Sequence, residues 1–205
     1  MNKDLIINAG KFVDSRGWVP ATSGNISCRF AEDRFAITAS GKDKGNLTSS
    51  DILLANINEP PPLGSSAETL LHLHLYKRDP NIGAVIHTHS RASVLMSRLA
   101  ARAGEIVFFG WELQKAFAGI TDHLSYVRVP VFHNSQDMLM LATKITACMD
   151  TYPERHSVLG DIYAPGYLLA GHGVYVWGKD MNEALRHLVA METLLDYELT
   201  LKGIN

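Results

Sequence analysis

Apolar residues open the chain at helical spacing. Leu5, Ile6, Ala9, Phe12 and Val13 share one face between residues 4 and 15, and Gly17 follows as a stop. Residues 25–30 and 34–38 then read as short strands, with Glu32-Asp33 at a hairpin turn between them. Residues 40–48 are polar and glycine-containing, and Pro60-Pro61-Pro62-Leu63-Gly64 forms a second loop. The pattern Ser65-Ser66-Ala67-Glu68 is a capping box, which predicts a helix from there to about Lys77. The apolar run Gly83-Ala84-Val85-Ile86-His87-Thr88-His89 predicts a strand. A helix over about 91–101, a short helix over 112–119, a strand at 126–130 and a helix over roughly 135–149 follow. Residues 167–177 predict two strands bent at Gly171-His172-Gly173. The last helix is the clearest. Asp180 and Glu183 start it, Ala184, Leu188, Met191, Leu195 and Leu199 make its apolar stripe, and Gly203 lies just past its end. Strands and helices mix without strict βαβ alternation, so the expected class is α/β, a mixed sheet covered by helices on both faces.

Composition narrows the function. The chain has 205 residues, 46% hydrophobic and 20% charged, enough for a full core in a single domain spanning 1–205. A net charge of −2 gives no reason to expect a nucleic-acid or anionic-membrane partner. Cys28 and Cys148 are too few for a disulfide framework, which fits a reducing compartment. The N-terminal residues lack a signal-peptide core, and no stretch approaches the ~18 apolar residues that span a membrane. The expected location is the cytoplasm.

The candidate chemistry lies in histidines and small polar loops. Side chains two apart on a strand share a face, so His87 and His89 point the same way. A lone buried histidine is more often only hydrogen-bonded; a pair on one rigid element can bind a metal. His172, between two glycines, is a third candidate, although a plain hairpin turn also explains it. Three neutral histidines with one open position suit catalytic zinc. A structural zinc site usually includes cysteine, and neither cysteine has ligand-like spacing. His72 and His74 show the same spacing on a predicted helix, where they diverge by ~200° and form no ligand pair. Three segments could converge on one anion: residues 21–25 (Ala-Thr-Ser-Gly-Asn), residues 38–42 (Thr-Ala-Ser-Gly-Lys), and Ser65-Ser66 at a helix N-terminus. Glu112 follows Phe108-Phe109-Gly110-Trp111. Aromatic neighbours could desolvate its carboxyl and raise its pKa for acid/base work; composition alone favours the plainer alternative, an exposed glutamate at a helix start.

These segments, in this order, resemble the class II aldolase/adducin-like family of zinc enzymes. The matches are Thr22-x-Gly24-Asn25, Thr38-x-Ser40-Gly41, Ser65-Ser66-x-Glu68, His87-Thr88-His89 and Gly171-His172-Gly173, spread over nearly the whole chain. The resemblance implies a three-layer α/β/α sandwich around a mixed, mainly antiparallel sheet. It also implies a homotetramer with active sites near subunit interfaces. One Zn²⁺ per subunit would sit on His87, His89 and His172, with the substrate phosphate held by Asn25, Ser40, Gly41, Ser65 and Ser66. In the family's sugar-phosphate aldolases the glutamate at the Glu68 position is an acid/base near the metal, whereas some of its dehydratases lack a carboxylate there. Residues 66–72, 112–119, 129–137 and 171–178 are most similar to the family's dehydratases of methionine salvage. Those act on a 2-ketose 1-phosphate bearing a methylthio group and place their catalytic glutamate at the Glu112 position. Phe108, Phe109, Trp111 and Phe117 are apolar candidates for the methylthio tail. His133 and His156 match no ligand position. A sugar-phosphate aldolase or 4-epimerase of the fuculose, rhamnulose or ribulose phosphate type is the rival on the same scaffold. A non-catalytic, adaptor-like member is a second rival, which the intact histidines and Glu112 argue against.

Overall fold

The computed structural model describes residues 3–151 and 162–203; His156 lies outside them. Five helices are described: α1 (Asp4–Ser15), α2 (Thr69–Arg78), α3 (Arg91–Ala100), α4 (Met138–Asp150) and α5 (Met181–Leu201). The strands are β1 (Asn25–Ala31), β2 (Arg34–Thr38), β3 (Ile52–Asn56), β4 (Ala84–Thr88), β5 (Glu105–Phe108), β6 (Val127–Phe132), β7 (Ile162–Tyr163), β8 (Gly166–Leu169) and β9 (Gly173–Gly178). They form one sheet in the order β3-β2-β1-β4-β9-β8-β6-β5, with β7 beside β6. Every pairing is antiparallel except those of β6 with β7 and with β8. The sheet is therefore mixed and mainly antiparallel.

Side-chain alternation divides the core into two layers. In β4, Ala84 and Ile86 join Val174 and Val176 of β9 in one cluster, with Ile6, Ala9 and Val13 of α1, Met96 of α3 and Leu188, Met191 and Leu195 of α5. Val85 and Tyr175 point the other way, onto Leu71, Leu75 and Tyr76 of α2 and Leu141, Ile145 and Met149 of α4. Helices thus cover both faces, and β4 is buried along its whole length. A strand with no solvent face reads as a continuous apolar run, as 84–86 does.

Three strands were not legible in the sequence: β7, of only two residues, and the two sheet edges. β3 and β5 are the outer edges of the sheet, of five and four residues. Each pairs on one side only, and Leu54 at the centre of β3 is exposed, so no clean alternation marks them. The helix expected from Ser65 begins at Thr69, and the expected capping box is not formed. The helix expected from 135 begins at Met138, where the Asp137 carboxylate accepts from Met140 N–H. Among the described residues no helix is long and apolar enough to cross a membrane.

Candidate metal centre and anion cavity

Strand register places the site. Asn25 at the start of β1 pairs with His87 near the end of β4, and His87 pairs with Tyr175 near the start of β9. His87, of the same parity as Val85, points to the α2 face and stacks on the Tyr175 ring, with centroids 3.9 Å apart at 11°. His89 lies one residue past the strand, its backbone N–H bonded to Trp18 O at 2.8 Å. His172 projects from the β8–β9 turn. Gly173 is pressed so closely against Thr88 O that a Cβ there would collide with it, and this contact brings the turn up to the end of β4.

The three histidines converge. His87 Nε2 lies 2.8 Å from His89 Nε2, and His172 Nε2 lies 2.8 Å from Glu68 Oε1. One donor atom from each of Glu68, His87, His89 and His172 falls within 4.8 Å of all the others. The chemistry of this set fits a metal ion. His87 Nδ1–H donates to Val174 O at 2.9 Å, which leaves the Nε2 lone pair facing the other donors. Burial pushes the pKa of His87 well down and that of His89 to about 4, so both imidazoles are neutral, as ligation requires. The arrangement is two neutral nitrogens, a third at the turn and a carboxylate, which suits a first-row divalent cation.

Glu68 had two readings, helix cap and site carboxylate, and its position agrees with the second. Its carboxylate caps no helix. It accepts from Asn25 Nδ2 at 2.6 Å, meets His172 at 2.8 Å and lies 3.7 Å from His87 Nε2. Burial pushes this carboxyl up, but the neighbouring histidines, His172 first through its hydrogen bond, and Asn25 outweigh it and hold Glu68 well below the usual carboxylate range. Behind it runs a satisfied polar chain. Asn25 Oδ1 accepts from His72 Nε2–H at 2.5 Å, Ser27 Oγ–H donates to His72 Nδ1 at 2.8 Å, and Tyr76 O–H reaches Ser27 Oγ at 2.7 Å. Burial lowers the His72 pKa to about 3, so this histidine is a neutral relay and no ligand. His74 points instead to Thr146. His72 and His74 diverge, as helical geometry requires.

The polar loops converge beside the metal cluster. A cavity of about 160 Å³ is lined by Thr22, Ser23, Gly24, Asn25, Thr38, Ala39, Ser40, Gly41, Ser66, Glu68 and His89. Four of the five expected phosphate residues line it. Ser65 does not, but sits directly behind, in a β-bridge with Ala39. The hydroxyls of Ser23 and Ser65 are buried without a hydrogen-bond partner. Orphaned buried donors beside a small polar cavity fit an anion.

Glu112 follows the plainer reading of its surroundings, an exposed glutamate at a helix start, and not that of a desolvated carboxyl. It is exposed, pairs with Lys115 and lies 3.6 Å from His123, and the Lys115 hydrogen bond and charge hold its pKa below the ordinary value. It starts a 3₁₀ turn between β5 and β6, off the far edge of the sheet, and is not among the clustered donors. Phe108 and Phe117 are core residues at 0% and 1% exposure. Trp111 donates to Glu198 and packs on Tyr197, and Phe109 stacks on Tyr126 at the surface. None of the four aromatics faces the cavity. His133 is exposed.

A family model described as the Class II Aldolase and Adducin N-terminal domain matches residues 4–199. The chain belongs to this family. Among its class II aldolase relatives, a methylthioribulose-1-phosphate dehydratase of Bradyrhizobium sp. is 45% identical over 199 residues, covering 97% of this chain and 90% of its own. The methylthioribulose-1-phosphate dehydratase of Methylococcus capsulatus is 47% identical over 201 residues, covering 97% and 93%. Among solved structures, L-fuculose-1-phosphate aldolase from Thermus thermophilus aligns with a TM-score of 0.75 at 23% identity, over 97% of this chain and 94% of its own. A sugar-phosphate aldolase from Thermotoga maritima aligns with a TM-score of 0.65 at 19% identity, over 99% and 97%. These two share the class II aldolase fold with the chain.

Two site residues were not singled out in the sequence. Asn134, whose Oδ1 lies 3.3 Å from His172 Nδ1, comes from the segment after β6 and shares no motif with the turn it meets. Glu192 sits mid-helix in α5, where periodicity reads only the apolar stripe, yet it accepts hydrogen bonds from Thr88 and Ser90 on either side of His89.

Proposed function

We propose that this chain is a zinc-dependent methylthioribulose-1-phosphate dehydratase. The observation that carries the reading is the juxtaposition of His87, His89, His172 and Glu68 with an anion-sized polar cavity, in a chain 45–47% identical to relatives of that name. The product would be the 2,3-diketo-5-methylthiopentyl 1-phosphate, and the role methionine salvage in the cytoplasm.

His87, His89 and His172 would hold the metal. When bound, a divalent cation supplies Lewis acidity that weakens the C–H bond beside the substrate ketone. Asn25, Ser40, Gly41, Ser65 and Ser66 bind and orient the phosphate, fixing the carbon chain against Glu68 and lowering the entropic part of the barrier. Glu68, ionised and held by Asn25, is the base placed to take the C3 proton. Loss of that proton with the C4 hydroxyl, which leaves as water, gives an enol that tautomerises to the diketone. The proton for the departing C4 hydroxyl comes from Glu112, which takes it up when a neighbouring subunit buries its carboxyl and raises its pKa. It stands solvated at the far edge of its own subunit, so in this reading it works in the site of a neighbouring copy, within a homotetramer.

The test is turnover of methylthioribulose 1-phosphate by zinc-loaded protein, with release of water and no aldehyde. Retro-aldol release of an aldehyde from fuculose, rhamnulose or ribulose phosphates, with no dehydration, would favour the aldolase alternative.

A further inference from the structure

The side chain of Lys44 is among the most deeply buried in the molecule, at 1% exposure. Its ammonium donates to Thr22 O at 2.8 Å and to Lys42 O at 2.6 Å. Those carbonyls belong to two different loops, and both loops line the anion cavity. An ammonium has three donors, and these contacts use two. Its two hydrogen bonds both go to carbonyls, and the charges of Asp43 and Glu68 act on it without a direct ion pair among the described residues. A buried cation with no carboxylate in direct contact is costly, and an arriving anion balances it.

The surroundings show that Lys44 is held in place. Helix α1 lies directly on its backbone: a Cβ on Gly10 would stand 2.5 Å from Lys44 O, so only glycine permits this contact. The loop that Lys44 grips is strained. Ala21 and Thr22 both adopt left-handed backbone, with φ of 53° and 64°, which L-residues with a Cβ avoid. Consecutive residues of this kind persist only where the surroundings impose them. The Lys44 bond to the Thr22 carbonyl is one such imposition. Burial pushes the ammonium pKa down, the charges of Asp43 and Glu68 push it up, and its own charge acts on His89.

We propose that Lys44 is a positioning residue for the substrate phosphate: it ties residues 20–25 and 40–44 into one cradle and supplies the buried positive charge that the phosphate balances. The proposal rests on reading this cavity as the phosphate site, and its test is arranged to separate the two. Metal-free protein is titrated with inorganic phosphate by calorimetry, so that no metal can hold the anion. We expect Lys44→Met to bind phosphate at least ~10-fold more weakly than wild type. Lys44→Arg, which keeps the charge, stays within roughly threefold of wild type. In zinc-loaded enzyme the Lys44→Met loss appears mainly in KM for the phosphorylated substrate, whereas general loosening of the site would lower kcat and zinc content as well. Lys44→Met binding phosphate as tightly as wild type overturns the proposal and leaves the proposed reaction intact. Phosphate binding that depends on Lys44, in a wild-type protein without dehydratase turnover, supports the proposal and removes the reaction. Wild-type protein that binds no phosphate overturns both. If Lys44→Met does not fold, amide hydrogen exchange on wild type decides. Phosphate should slow exchange at 20–25 and 40–46 together; slowing in only one segment, or in neither, overturns the proposal.

Discussion

Glu192 gives a sharp physical prediction because its carboxyl has no counter-ion among the described residues. The residue is 3% exposed, and its two oxygens accept from Thr88 Oγ1 at 2.7 Å and from Ser90 Oγ. Burial raises its pKa from 4.5 to about 7, against the lowering effect of the two hydroxyls. A carboxyl with a raised folded-state pKa stabilises the fold fully below its unfolded pKa. That contribution is lost as pH climbs toward the folded value, because the folded chain holds a proton that the unfolded chain has released. The interval from 4.5 to about 7, at about 1.4 kcal/mol per pH unit, amounts to about 3 kcal/mol. Glu192→Gln removes the titration while keeping a group of the same shape between two hydroxyls that can rotate to suit it. Urea denaturation of metal-free wild type and Glu192→Gln at pH 4.5 and pH 8 measures the effect. The stability difference, mutant minus wild type, should rise by about 3 kcal/mol from the lower to the higher pH. Histidine titrations are common to both proteins and cancel. Parallel stabilities at the two pH values would refute the account of a protonated, buried Glu192.

Further predictions concern the site itself. His87→Ala, His89→Ala and His172→Ala should each lose most bound zinc by elemental analysis, with His87→Ala the most severe because its ring is fully buried and second-bonded to Val174 O. Glu68→Gln should retain zinc and lose ~10²-fold or more in kcat; near-normal turnover would remove Glu68 as the base. Glu112→Gln should also lose most turnover without losing zinc. Mixed oligomers of Glu112→Gln and Glu68→Gln subunits should recover activity that neither parent has, since some sites would then combine two intact groups; no recovery would place Glu112 outside the neighbour's site. Asn25→Ala should leave His72 without its partner and free Glu68, costing roughly 1–3 kcal/mol of stability and a large part of kcat.

The sequence made some parts of this molecule legible because periodicity and chemistry coincided there. The run at 84–89 showed both a buried strand and two histidines on one face, and the His87–His89 approach follows directly. The glycines around His172 signalled a turn, and the turn is where the ring enters the cluster. Glu68 was ambiguous, since Ser-x-x-Glu spacing serves a helix cap and a site carboxylate equally; only the position of Asn25, set by β1–β4 register, decides between them. The edge strands β3 and β5 lacked a two-sided burial pattern. Lys44 was invisible because a lysine in a polar loop reads as solvated, and its burial arises from α1 packing over it. Glu112 follows the plainer of its two readings: Phe108 points into the core, while the glutamate turns outward at the start of a 3₁₀ turn.

The most direct test of the central claim is a rate measurement with methylthioribulose 1-phosphate on zinc-loaded protein and on the same protein stripped with EDTA. The account predicts diketone formation that disappears on stripping and returns with zinc. Zinc-loaded protein that leaves this substrate unchanged while releasing aldehyde from a fuculose, rhamnulose or ribulose phosphate would contradict it.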